Sequence, residues 1–156
     1  MSKPRSATNP ESAVASVLQR RHIVAGWWAL LIFLSLGLLL EALHGFKVAS
    51  YLGMSNETRR LMWTLAHAHG TLLGLINLAL AYSVGALPSW SPGARAVASA
   101  SLLGATLLMP AGFFLGGVNP VAGDPGLGIV LLPVGGLLLF VAVLCVALAS
   151  VREKST

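Results

Sequence analysis

Four long apolar runs dominate this chain of 156 residues and limit what it can fold into. Each run is long enough to cross a hydrocarbon core of about 30 Å as an α-helix, which takes roughly 20 residues. The alternation of apolar and polar residues that marks membrane-spanning strands does not occur in them. The sequence therefore predicts an all-α fold, an integral membrane four-helix bundle. We place its spans at about residues 22–44, 61–84, 94–117 and 127–150.

The charge content supports a chain embedded in lipid. Only 10% of the residues are charged, whereas a soluble domain carries about 25%. The formal net charge of +5 would suit a nucleic-acid partner, but the cations form no basic face with interleaved aromatic residues. We therefore exclude nucleic acid and expect the lipid bilayer as the partner. Seven of the ten cations lie in the tails and in the loop between spans two and three: Lys3, Arg5, Arg20, Arg21, Arg95, Arg152 and Lys154.

The same charges predict the orientation in the membrane. An even number of spans places both termini on one side with these seven cations, and the other side holds only Lys47, Arg59 and Arg60. Because positively charged segments stay in the cytoplasm, we expect both termini to be cytoplasmic. Residues 1–21 are predicted to form a disordered polar tail, and residues 22–151 a single transmembrane domain.

Ionisable side chains gather at the external ends of spans one and two. Glu41 and His44 share a face of span one, and His67 and His69 begin span two. At 100° per residue His67 and His69 point about 200° apart, so a straight helix cannot chelate one metal ion with both. Imidazole suits zinc, copper and iron, and histidine is a common axial ligand of haem. The predicted cofactor is a haem or a transition metal such as copper, iron or zinc, and no catalytic residue is predicted. Its candidate ligands are His44, His67 and His69, with Glu41 as a further metal ligand.

Small residues predict which helix faces pack together, because they let the backbones of membrane helices approach closely. In span two they lie in the wedge between the two histidines, and in span one they share a face with Glu41 and His44. Asn77 lies on the packing face of span two, and we expect it to form an interhelical hydrogen bond. The other members of these faces are Gly26, Leu30 and Gly37 in span one and Ala66, Gly70, Gly74 and Ala81 in span two.

Prolines and turn signals mark further positions. Pro110 and Pro133 lie within spans three and four, where each frees a carbonyl group and can bend its helix. Asn119 and Asp124, in the segment GGVNPVAGDPG, each precede a proline and are predicted to be turn residues.

The segment HAHGTLLGLINL, residues 67–78, resembles the second transmembrane helix of the haem–copper oxidase catalytic subunit. It is also similar to short four-helix bacterial membrane proteins that are often grouped with that subunit. The resemblance implies a multi-pass protein of the bacterial inner (cytoplasmic) membrane. It also implies that His69, which precedes Gly70, is the axial ligand of a haem, with His67 as the second choice. A second axial ligand would come from His44, from the other histidine of span two or from a second copy, or the haem would have none. Spans three and four contain no histidine, so the copper ligands of that family have no counterpart and oxygen reduction by this chain alone is not implied.

Three functions follow from these features. The first is binding of haem or metal for electron transfer or metal handling. The second is a non-catalytic accessory or scaffold subunit whose Gly/Ala-rich faces pack against other membrane subunits or, as a homo-oligomer, against itself. The third is a small proton-linked transporter, since histidine titrates near neutral pH. Against the third function stands the expectation that the inner halves of the spans lack ionisable groups and that Asn77 is the only strongly polar side chain at mid-membrane depth.

Overall fold

A computed structural model describes residues 10–153, and this part of the chain is helical without named strands. Four of the helices are long and apolar enough to cross a membrane, so the all-α class and the four long apolar helices are confirmed. The α-helices are α1 (Pro10–Gly45), α2 (Ala49–Leu52), α3 (Glu57–Ala86), α4 (Pro92–Gly116) and α5 (Leu131–Glu153). Short 3-10 turns at Met54–Asn56 and Leu127–Val130 precede α3 and α5.

Helix α1 is longer than its apolar run. It begins at Pro10 and has 36 residues, which is about 54 Å at helical rise. Proline favours the first helical position, and the following Glu, Ala, Leu, Gln and Arg residues are good helix formers. The predicted disordered tail is therefore wrong for residues 10–21, which are helical, and residues 1–9 lie outside the described residues.

The long helices pack in a row. Helix α1 packs along α3, α3 along α4, and α4 along α5, while α1 touches α4 over a short stretch only. Helices α1 and α5 thus form the two edges, and their outer faces expose large apolar side chains such as Trp27, Leu38 and Phe140. Such faces suit contact with lipid.

The alternating helices give the bundle two ends. We call the end formed by the α1 C-terminus, the α3 N-terminus and the α4 C-terminus the His67 end, and the opposite one the Arg95 end. Glycines bring the backbones of α1 and α3 close together: a Cβ atom on Gly26 would lie 2.9 Å from the carbonyl oxygen of Gly74. The small faces predicted for spans one and two therefore pack against each other inside the chain.

The loop between α4 and α5 is a tight turn, as predicted. Val121 and Asp124 exchange two backbone hydrogen bonds of 3.0 and 2.9 Å, and Gly123 between them has φ +92°. Pro110 is buried inside α4. Pro133 is the third residue of α5 rather than an interior one, and in a first turn its missing N–H breaks no helical hydrogen bond.

Candidate functional site

Three of the four predicted ligands line one pocket at the His67 end. The pocket lies between α1 and α3, has a volume of about 390 Å³ and contains Glu41, His44 and His67 in its wall. Glu41 and His44 are exposed and His67 is half-buried. The predicted proximity of the end of span one to the start of span two is thus present. The remaining lining residues are Gly37, Leu40, Gly45, Tyr51 and Thr64.

His67 is the fixed member of this pocket. Its Nδ1 atom lies 2.7 Å from the carbonyl oxygen of Phe33 on α1, and because a carbonyl only accepts, Nδ1 donates. In a neutral imidazole Nε2 then carries the free lone pair. The ring fits against α1 because residue 37 is glycine: any Cβ atom there would overlap the His67 ring.

His69 lies outside the pocket. Its Nδ1 atom donates to the carbonyl of Leu65 on its own helix at 2.9 Å, and its ring packs against Phe113 of α4 with centroids 4.6 Å apart. The two imidazoles face α1 and α4, as their angular separation predicts, so they do not converge on one metal ion or one haem. Between residues 10 and 153, no three His, Cys, Asp or Glu side chains stand together as a ready metal site.

Two arginines of α3 hold neighbouring loops at the His67 end. Arg60 donates from Nη1 to the carbonyls of Tyr51 and Gly53, at 3.2 and 3.1 Å, and so holds the α2 segment against α3. Arg59 donates to the carbonyls of Gly117 and Val118, both at 3.1 Å, and holds the start of the α4–α5 loop. Arg60 therefore anchors the α2 segment, whose Tyr51 lines the pocket, and Arg59 anchors the loop between α4 and α5.

A buried histidine that the sequence analysis did not single out lies nearer the Arg95 end. His22 of α1 is 0% exposed, and its two ring nitrogens lie 2.7 Å from Oδ1 of Asn77 on α3 and 2.8 Å from Oγ of Ser99 on α4. The expected interhelical hydrogen bond of Asn77 is confirmed. The expectation that the inner halves of the spans lack ionisable groups is wrong, because α1 extends beyond residue 22 and places His22 inside the bundle.

The directions of these hydrogen bonds can be assigned. Asn77 Nδ2 donates to the carbonyl of Leu73 and to Thr106 Oγ1, each at 2.8 Å, and Thr106 donates onward to the carbonyl of Leu102. Asn77 Oδ1 is therefore an acceptor, which makes His22 Nδ1 a donor; in the neutral imidazole Nε2 then accepts from Ser99. Each of these polar groups has a partner, so the network ties α1, α3 and α4 together.

The helical period of the sequence could have predicted that His22 is buried. This residue lies one turn before Gly26, on the face of α1 that packs on α3. Extending the predicted packing face of span one by a turn would have placed it in the core.

The pocket at the His67 end combines one imidazole held by a backbone hydrogen bond with two exposed ionisable side chains, Glu41 and His44. Such a set can bind a borderline metal ion, and it contains no arrangement for nucleophilic catalysis. Comparisons with protein-family models, with curated proteins and with solved structures give no match to this chain.

Proposed function

We propose that this multi-pass membrane protein binds a transition-metal ion in the pocket lined by Glu41, His44 and His67. Metal handling is the role that suits such a site best. With a redox-active ion, the same site would serve electron transfer. The observation that carries the proposal is the hydrogen bond from His67 Nδ1 to the Phe33 carbonyl, which leaves Nε2 available as a ligand beside two further ligand groups. With the cations of the chain taken as topology signals, both termini are cytoplasmic and the pocket opens to the exterior of a bacterial inner membrane.

His67 is the anchor ligand in this proposal. Metal-binding histidines almost always donate their second ring N–H to a carboxylate or a backbone carbonyl, which fixes the tautomer and the ring orientation. The bond to Phe33 meets this requirement. Imidazole with carboxylate suits zinc, copper and iron.

Glu41 and His44 close the site in this proposal. Both side chains are exposed, and they need to turn toward His67 Nε2 because no three-ligand group is preformed. Ordering them costs side-chain entropy. A site of this kind exchanges its ion readily, which favours acquisition or transfer over permanent storage.

A haem held between His67 and His69 is not favoured, because the two rings face different neighbouring helices. A haem with His67 as its single protein ligand differs from a metal ion in its visible spectrum. The transport alternative gains His22 as an ionisable group. However, the hydrogen bonds that lead from His22 through Asn77 end on main-chain carbonyls and provide no route between the two ends.

The test is metal retention by the full chain purified in mild detergent from cells supplied with zinc, copper, iron and haem. We expect about one metal ion per chain, lost in His67→Ala and retained in His69→Ala. The second variant is a matched control, since it removes an imidazole two residues away on the same helix. A colourless, metal-free wild type, or equal loss in both variants, would reject the proposal. A haem spectrum that disappears in His67→Ala would show that the bound cofactor is a haem and not a bare metal ion.

A further inference from the structure

The Arg95 end contains a buried arginine. The hydrogen-bond acceptors seen at its guanidinium are neutral carbonyl groups. Arg95, in the first turn of α4, is 9% exposed. Its Nη2 atom donates to the carbonyls of Leu87 and Pro88 at 3.3 and 2.8 Å, whereas its Nε atom is buried without a hydrogen-bond partner. Carbonyl groups satisfy donors but do not neutralise a guanidinium, and burying a charge is costly.

Arg95 lines a pocket of about 370 Å³ between the first turns of α1, the end of α3 and the start of α4. The pocket differs from the apolar grooves elsewhere between the helices in its polar wall. We call it the Arg95 pocket; it is bordered by Glu11, Ser12, Ser16, Gln19, Gly85 and Arg95, among others.

The N-terminus of α4 adds positive potential beside the pocket, and Arg95 is the residue of its first turn that lines the wall. Its N-cap residue, Ser91, makes no side-chain capping bond, and Pro92 follows it. The first N–H groups of a helix carry the positive end of its dipole and favour an anion nearby. Arg95 and this helix end thus present the same sign of charge.

The depth of the pocket indicates which anion reaches it. Helix α4 has 25 residues and is about 37 Å long at helical rise, so its first turn lies near the edge of a hydrocarbon core of about 30 Å. Phospholipid phosphate groups lie at this level. Basic pockets between membrane helices bind such headgroups.

We propose that the Arg95 pocket binds the phosphate group of a membrane phospholipid, with the Arg95 guanidinium as the charged ligand. The pocket wall carries one guanidinium, that of Arg95, which matches the single negative charge of a phosphodiester headgroup. The site lies at the opposite end from the proposed metal pocket and does not depend on it.

The experiment measures lipid binding to the full chain in detergent by native mass spectrometry and by the melting temperature. Phosphatidylglycerol is the probe. Diacylglycerol, which lacks the phosphate, and inorganic phosphate, which lacks the acyl chains, are tested for comparison. We expect one retained phosphatidylglycerol and a raised melting temperature, with no effect of the other two. An equal shift with inorganic phosphate would assign the pocket to a free anion and overturn the lipid source, and a shift with diacylglycerol would overturn the role of phosphate.

Two variants locate the site, with a matched control. Arg95→Gln is expected to weaken phosphatidylglycerol binding about tenfold or more, the loss of one charge-assisted hydrogen bond. Arg152→Gln removes an exposed cation at the same end and should change binding less than about twofold. Since Arg95→Gln also breaks two carbonyl contacts and can impair folding, Ser16→Phe fills the pocket from an exposed position of α1. Wild-type affinity in Ser16→Phe, or in a folded Arg95→Gln, would overturn the proposal.

Discussion

Asn77 makes three hydrogen bonds to α1, α3 and α4 from a fully buried side chain. Replacing it by leucine, which has a similar volume, leaves the His22 Nδ1–H group without an acceptor in a place that water does not reach. We expect Asn77→Leu to lower the free energy of unfolding by about 1–3 kcal/mol. Denaturant unfolding in detergent measures this loss. Ser35→Ala is the control, because Ser35 is exposed and bonds only to the Leu31 carbonyl of its own helix; equal loss in both variants would mean that the network contributes nothing.

Gly37 determines the position of the His67 ring, on which the proposed metal binding depends. A methyl group at residue 37 would overlap the imidazole, so Gly37→Ala displaces the ring from the Phe33 carbonyl. Loss of such an orienting bond typically weakens metal binding by about 10- to 100-fold, and we expect a drop in this range by equilibrium dialysis with zinc. Gly45→Ala, in the same pocket wall but with open space around it, should bind as the wild type does. Unchanged affinity in Gly37→Ala would show that His67 needs no fixed orientation.

Side-chain partners at this scale could be predicted only in part. The helical period predicts that His67 and His69 diverge, and their contacts with α1 and α4 confirm it. The period does not say which ring meets Glu41 and His44, because that depends on which helix lies on each side. His22 was missed for a different reason: hydropathy placed it at the edge of a span, although the packing face continues through it.

The helix pair α1 and α3 depends on shape complementarity at Gly70. A Cβ atom at this position would overlap the ring of Phe33, so Gly70→Leu pushes the two helices apart. Overpacking of this kind costs about 1–3 kcal/mol or more, and we expect a lower yield of folded protein and a lower melting temperature. Gly136→Leu on α5 has open space around it and should leave both quantities unchanged. Similar behaviour of the two variants would exclude close α1–α3 packing.

The four apolar helices and most of their ends were predictable, whereas the starts of the first two were not. Hydropathy reports which residues lie at the depth of the lipid, and α1 continues for 12 residues before the predicted start of its span because helix propensity continues to Pro10. The fourth span starts at residue 127 as predicted, but its first residues, Leu127–Val130, form a 3-10 turn before α5 begins at Leu131. Apolar composition does not distinguish a 3-10 turn from an α-helix.

The order of the helices across the molecule could not be read from the sequence. All four spans are apolar on most sides, so hydrophobicity alone does not choose neighbours. The pairing follows instead from complementary shapes, such as the glycine contacts between α1 and α3, and from the polar bonds of His22. The outer faces of α1 and α5 remain for lipid, other membrane subunits or a second copy. The glycines of α1 and α3 that were predicted to pack against other subunits pack against each other within the chain. This weakens the hypothesis that the protein is a scaffold subunit that uses these glycine faces.

The orientation of the whole molecule decides whether the proposed metal pocket meets the exterior. The exposed Arg20, Arg21 and Arg152 belong to the Arg95 end, while Arg59 and Arg60 at the other end are engaged with loop carbonyls. Positively charged segments are retained in the cytoplasm, so we expect the Arg95 end to be cytoplasmic.

Single cysteines in a Cys145→Ser background test this orientation in intact bacterial cells. Gly93→Cys and Val121→Cys lie in exposed positions at opposite ends. A membrane-impermeant maleimide should label Val121→Cys directly and Gly93→Cys only after permeabilisation. The reverse pattern would place Glu41, His44 and His67 in the cytoplasm, where the same pocket would receive its ion from cytoplasmic carriers instead of from outside the cell. Metal retention by the purified protein would then still hold, because it depends on the pocket and not on the side it faces, so the labelling separates the direction of metal handling from metal binding itself.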